Sequence, residues 1–262
     1  MYSKDDLIKG IKEIGIKPTD TLLIHSSMKA VGEVEGGGDT VIDVFMEYLK
    51  DGLLIFPTHT WEQINNDYNV FYPEIEPSCV GILGNLFMKR PNVIRSLHPT
   101  HSVAAYGADA EDYVKGEENS ETPCAREGCW GKLYDRGAKI LFLGCTLKSN
   151  TFIHGVEEWC DIPNRLTKEY VPLKIAMPDG TIMDRPSYRH SFPADVGNVS
   201  HNYDKMLDAY IYKGIANKGF IGDAESVLCD AVTMADFTAS LLKKKPDLFD
   251  DNSPVPEEWY VE

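Results

Sequence analysis

The residues that could do chemistry in this chain fall at a few places. His154 and Glu157 stand three apart in Thr151-Phe152-Ile153-His154-Gly155-Val156-Glu157-Glu158, a stretch that reads as a helix. At that spacing both side chains share a helix face, so the carboxylate can accept a hydrogen bond from one imidazole nitrogen. Such a bond fixes the tautomer and raises the basicity of the other nitrogen, giving an oriented general base. A solvated surface pair has the same spacing, so this pair alone does not identify an enzyme. Other histidines lie where apolar runs meet polar residues: His25-Ser26-Ser27, Thr58-His59-Thr60 and Arg95-Ser96-Leu97-His98-Pro99-Thr100-His101-Ser102. Strand ends of that kind are where α/β sheets place ligands. His98 and His101 offer two metal ligands, but no H-E-x-x-H sequence or cysteine pair completes a set, so no metal is expected. There is no G-x-S-x-G elbow, Walker A sequence or G-x-G-x-x-G, which argues against a serine hydrolase of that type and against those nucleotide-binding loops.

The elements that must hold these residues follow from the apolar pattern. Leu7 to Ile14 reads as a short helix, and Thr21 to His25 as a buried strand. After the glycine-rich stretch at 36–38, Asp39-Thr40 is expected to cap a helix through Leu49, and Leu53 to Pro57 is a second buried strand. Strand, helix, strand is a βαβ unit, which predicts a parallel sheet. Trp61 to Ser78 reads as a long loop, Val80 to Lys89 as a helix, and Ser102 to Ala105 and Lys139 to Leu143 as further strands. From Leu166 to about Gly219 the pattern is irregular, with a hairpin turn at Pro178-Asp179-Gly180, and an amphipathic segment from Ala224 to Lys243 closes the chain. The reading is one α/β domain over residues 1–262, with a mostly parallel central sheet flanked by helices and 166–220 as a lid or subdomain.

Composition narrows the partners. The 262 residues carry a formal net charge of −15, which would repel nucleic acid and anionic membranes and favour a cationic small molecule; solubility alone also explains it. Six cysteines without a C-x-x-C pair suggest reduced thiols. The polar start, Met1-Tyr2-Ser3-Lys4, does not resemble a signal peptide, and no apolar run approaches the length of a membrane span. A cytoplasmic location is expected, and homo-oligomerisation stays open.

Several segments together resemble aminoglycoside 3-N-acetyltransferases. They are Ile24-His25-Ser26-Ser27-Met28-Lys29-Ala30-Val31-Gly32, Gly36-Gly37, Ile55-Phe56-Pro57-Thr58, Arg95 to Gly107, Leu141-Phe142-Leu143-Gly144, and Asn150 to Glu157, which is similar to the family's His-x-x-Glu segment. The likeness runs in order from about residue 5 to 165 and returns weakly at Gly222-Asp223-Ala224. It implies an α/β fold distinct from the GNAT acetyltransferases, with acetyl-CoA as co-substrate. It also implies His154 as catalytic base with Glu157 as its partner. His25, Ser26, Ser27 and the Gly36-Gly37 turn would line the CoA channel, Ser102 and Val103 would sit near the acetyl group, and Arg95 would face the CoA phosphates or a carboxylate. Glu158 and Asp161, with His59 and His98, are the candidates to hold the amine.

The implied reaction is direct acetyl transfer to an amine of an aminoglycoside, with backbone N–H groups around Ser102 and Val103 as oxyanion donors. Two other readings remain. One is the same transfer to another amine, such as a metabolite, an aminophosphonate or a peptide; Arg189, His190 and His201 lie in a segment without a family motif that could hold an amine bearing an anionic group. The other is a non-catalytic ligand-binding module.

Overall fold

A computed structural model describes residues 1–107 and 109–261. Helix α1 (Lys4–Glu13) begins at Ser3, whose hydroxyl accepts from the Asp6 amide while Asp6 accepts from the Ser3 amide, a reciprocal cap. Then come β1 (Thr21–Ser26), α2 (Met28–Val31), α3 (Gly37–Tyr48) and β2 (Leu53–Pro57), the expected crossover unit, with β1 and β2 parallel and Leu22 opposite Leu54. The chain continues through β3 (Val70–Phe71), α4 (Ile82–Phe87), β4 (Ile94–Arg95), β5 (Val103–Gly107), α5 (Ala110–Val114), α6 (Cys129–Asp135) and β6 (Lys139–Leu143). It closes with α7 (Thr151–Trp159), β7 (Lys174–Ala176), β8 (Ile182–Asp184), α8 (Leu207–Tyr212), β9 (Ala216–Ile221), β10 (Ala224–Asp230) and α9 (Ala231–Lys244).

Seven strands form the main sheet in the order β4-β5-β2-β1-β6-β10-β9. The centre, β2-β1-β6, is parallel, and each outer strand runs antiparallel to its neighbour, so the sheet is mixed around a parallel core. Helices cover both faces, which is why the central strands are continuous apolar runs. Side chains alternate between faces along each strand. Leu22, Ile24, Phe56 and Leu141 pack with Ile11, Val41 and Phe45 on one side; Leu23, Ile55, Ile140 and Phe142 pack with Trp130, Phe152 and Met234 on the other. His25 continues the Leu23 face and stacks on Phe142 with ring centroids 5.3 Å apart.

Four expectations need correction. Asp39-Thr40 do not start α3; Gly36, at φ 77°, turns the chain so that the helix begins at Gly37. A Cβ at Gly36 would lie 2.4 Å from the Thr40 hydroxyl oxygen. The helix expected from Val80 to Lys89 spans only Ile82–Phe87, and the strand expected at Ser102 is Val103–Gly107. The segment Ala224 to Lys243 is a strand and then a helix: the Asp230 carboxylate accepts from the Thr233 amide and starts α9. Short apolar strands and buried helices share too much of their pattern to be separated by periodicity.

The irregular stretch from 166 has a structure of its own. Strands β7 and β8 form the expected hairpin, joined by β3 into a three-stranded sheet over Ile64, Phe71, Leu173 and Ile175. A 3-10 stretch, Val199–Met206, and α8 then carry Tyr203, Met206 and Tyr210 back into the main core. The six cysteines are free thiols. Among the described residues no helix is long and apolar enough to cross a membrane.

Candidate active site

Helix α7 brings His154 to the wall of a cleft of about 550 Å³, a size ordinary for small-molecule sites. Behind it, Glu157 is fully buried. The Tyr203 hydroxyl lies between the two: it is 2.7 Å from His154 Nδ1 and donates to Glu157 Oε2 at 2.5 Å. Burial and the neighbouring carboxylate push the Tyr203 phenol well above its usual range, so it keeps the proton it donates. The phenol has one proton, given to Glu157, so His154 must donate its Nδ1–H to the phenol oxygen. That leaves a lone pair on Nε2, for which the described residues supply no partner.

Glu157 is held in turn by Arg165, whose Nε donates to Oε1 at 2.5 Å and whose Nη2 reaches Asp250 at 2.6 Å. Burial alone would raise the Glu157 carboxyl; the bonds and charges of His154, Arg165 and Tyr203 outweigh it and hold the group below its ordinary value. His154 is pulled the other way: burial and the adjacent His190 lower its pKa, and Glu157 only partly restores it. The imidazole is therefore neutral at pH 7 and able to accept a proton.

Five of the chain's seven histidines line the cleft: His25, His59, His101, His154 and His190. The His154 and His190 rings are 4.5 Å apart, His190 and His101 4.7 Å, and His101 and His59 4.7 Å. Burial holds His59 and His101 well below 6.5, and His25 down to about 3. Nε2 of His25 and Nε2 of His59 are buried and have no hydrogen-bond partner.

Of the expected site residues, His154, His25, Ser26 and His59 line the cleft and Glu157 supports it. Others fall elsewhere. Arg95 donates to the carbonyls of Thr58, Pro73 and Glu76 and to the Ser102 hydroxyl, so it pins loops together and meets neither a carboxylate nor the cleft. Ser102 is buried against Thr58, and the Val103 amide donates to the Ser96 hydroxyl at 3.0 Å, which removes it as an oxyanion donor. His98 is buried, its Nδ1 accepting from the amides of Thr100 and His101, and so shapes the turn behind the cleft. Ser27, Gly36 and Gly37 stand outside the cleft wall, at the entrances to α2 and α3. Asp161 is exposed beyond the end of α7. Glu158 lies behind the wall, bonded to His190 Nε2 at 2.9 Å and to the Cys124 amide.

Cys124, Glu158 and His190 bring a thiol, a carboxylate and an imidazole within 4.8 Å of one another. The His190 nitrogen is already paired with Glu158, the Cys124 thiol donates to the Thr151 carbonyl, and burial keeps that thiol protonated. The expected site did not include Tyr203, Arg165, Asp250 or His101; of Arg189, His190 and His201, singled out in the sequence as able to hold an amine bearing an anionic group, the first two line the cleft. Of the residues missed, only His101 carried a local signal, directly before a strand; the rest come from stretches with no motif.

A family model described as "Aminoglycoside 3-N-acetyltransferase" matches residues 23–243. Aminoglycoside N(3)-acetyltransferase III from Salmonella sp is 25% identical over 269 residues, covering 93% of this chain and 92% of the relative. Among solved structures, AAC-IIIb in a binary complex with CoASH matches at TM-score 0.81 and 23% identity, covering 97% of this chain and 99% of that one. A histidine-to-alanine mutant of AAC(3)-IVa in complex with a gentamicin matches at TM-score 0.80 and 22% identity, covering 98% and 93%. Since the family model spans most of the sequence and the fold agrees, the chain belongs to the aminoglycoside 3-N-acetyltransferase family of acyltransferase enzymes.

Proposed function

We propose that this protein transfers the acetyl group of acetyl-CoA directly to an amine, with His154 as general base. The observation that carries the reading is the orientation of that imidazole: Nδ1 is tied through Tyr203 to Glu157, and the opposite nitrogen is left for the cleft. Nε2 takes a proton as the amine nitrogen attacks the thioester carbonyl. The C–N bond forms, the tetrahedral intermediate collapses with cleavage of the C–S bond, and the departing CoA thiolate recovers the proton from the imidazolium. Glu157 stabilises that imidazolium from behind. The first turn of α7, whose Asn150 makes no side-chain capping bond, offers backbone N–H groups and the positive end of the helix to the oxyanion. Cys145 lies close to the core and burial raises its thiol to about 11, which speaks against an acyl-cysteine route. We read 1–262 as one domain whose 166–220 segment supplies a wall of the cleft, working in the cytoplasm where acetyl-CoA is available.

The names of the relatives, with gentamicin and CoASH bound in two of them, make an aminoglycoside amine the first acceptor to test. A second reading, a non-aminoglycoside amine, is favoured by the cleft wall: among the described residues no Asp or Glu lines it. Thiol release from acetyl-CoA, followed with a chromogenic disulfide across aminoglycosides and simpler amines, tests both. Release accompanied by a product 42 mass units heavier than the amine, the mass of an added acetyl group, supports transfer. Failure to bind acetyl-CoA at all would sink the reading.

A further inference from the structure

In a chain of net charge −15, the cleft wall carries no carboxylate among the described residues, yet it carries a cation, Arg189, that pairs with no described acid. Every other observation on Arg189 sharpens that oddity. It is half-buried, and burial lowers its pKa; the only opposing influence is the Cys79 thiol, not a carboxylate. Two of its N–H groups are used, Nη1 on the Ile64 carbonyl at 2.8 Å and Nη2 on the Trp61 carbonyl. A guanidinium has five, so three remain. Among the described residues it forms no ion pair. The other cation of the wall, Lys148, faces Asp204 at 3.7 Å and is more than half exposed. In the same cleft wall, Nε2 of His59 and Nε2 of His25 are buried without a hydrogen-bond partner. Half-desolvating a cation without an anion is unfavourable unless a ligand supplies one.

We propose that the acceptor amine carries an anionic group, carboxylate or phosphonate, that Arg189 receives while His154 deprotonates the amine. The inference rests on the acetyl-transfer reading and names its substrate class. Arg189 precedes His190, whose ring lies 4.5 Å from that of His154. The phosphates of CoA are separated from its thioester by the whole pantetheine arm. With the thioester at His154, a cation beside His190 therefore suits the acceptor and not the donor. A polycationic acceptor would meet imidazoles, a lysine and an arginine in the wall, and the carboxylate behind it, Glu158, is already bonded to His190.

The test is a matched series of amines with acetyl-CoA: β-alanine and 2-aminoethylphosphonate as anions, β-alaninamide as the neutral isostere, 1,3-diaminopropane and sisomicin as cations. The anionic amines should exceed the amide in kcat/KM by at least about ten-fold, as a charge-assisted pair to Arg allows. R189Q should erase most of that advantage through the KM of the amine, and R189K should keep part of it. A role confined to pinning the Trp61 loop would slow all amines alike. Equal rates for β-alanine and its amide, faster turnover of sisomicin, or an R189Q defect in the KM of acetyl-CoA would each overturn the proposal. The same series is titrated calorimetrically against the CoA-loaded protein and its H154A form. If no amine is turned over, preferential binding of the anions still supports the anion site while the transfer reading fails. Binding without such preference overturns the anion site.

Discussion

His154 is held from behind by a helix, a phenol, a carboxylate and a guanidinium, whereas Arg189, which lines the same cleft, is held by two backbone carbonyls of a loop. Proton transfer demands a nitrogen placed within a fraction of an ångström, and only a buried, mutually bonded set provides that. Choosing among amines by charge demands much less, because a Coulomb interaction changes slowly with distance. On the proposed reading the two regions divide the work: the rigid one would fix the reaction, and the irregular one would select what enters.

The division can be broken at its strongest point first. H154A should lower kcat by about 10²–10⁴-fold while leaving CoA affinity nearly unchanged; near-normal thiol release would show that the base lies elsewhere. R165M should act on stability more than on recognition. It leaves Glu157 as a buried carboxylate without its cation, a defect costing about 3–5 kcal/mol, visible as a large fall in Tm. A Tm close to wild type would show that Glu157 is carried by Tyr203 and His154 alone.

A pH series sharpens the same contrast. Burial lowers the pKa of His25 to about 3 and of His98 to about 4, and lowers His59, His101 and His154 below 6.5. The unfolded chain then binds protons first as the medium is acidified, so stability is complete above pH 6.5 and falls as pH drops through the window towards 4. Each such histidine contributes a slope of up to about 1.4 kcal/mol per pH unit. Urea midpoints between pH 7.5 and 4.5 would measure it, and a flat profile would show that these imidazoles are solvated. The acid limb of kcat/KM should likewise lie below 6.5, with activity lost on the acidic side as His154 takes up a proton. The smallest effect belongs to D161N: at an exposed position outside the cleft it should change stability by no more than about 0.5 kcal/mol and amine KM by no more than the corresponding factor of about two. A clear rise in amine KM would bring the end of α7 back into the acceptor site.

The rigid half of this picture was legible in the sequence residue by residue; the selective half was legible only as a segment, in which Arg189 and His190 reach the cleft wall. His154 and Glu157 share a helix face by spacing, and His25 and His59 end apolar strands, so pattern alone brought them near one another. The expected site included His98 and not His101, because nothing in a linear motif says which of two nearby rings turns inward; backbone amides capture His98. Arg95 looked like a phosphate ligand and is a clamp on loop carbonyls, a use that depends on chain reversals no local pattern records. Tyr203 and Asp250 reach the site from 46 and 85 residues beyond their partners, Glu157 and Arg165, and only the folded chain brings them there.

The link from Asp250 to Arg165 also orders events during synthesis. The residues of the sheet, the base helix and the acceptor wall all leave the ribosome before Asp250 does. A nascent chain stalled short of that residue could already hold its strands, yet Arg165 would lack its second anchor and Glu157 its fixed cation. Competence for acetyl transfer should therefore lag behind compaction, and the interval between the two would time how late in translation this enzyme comes into service.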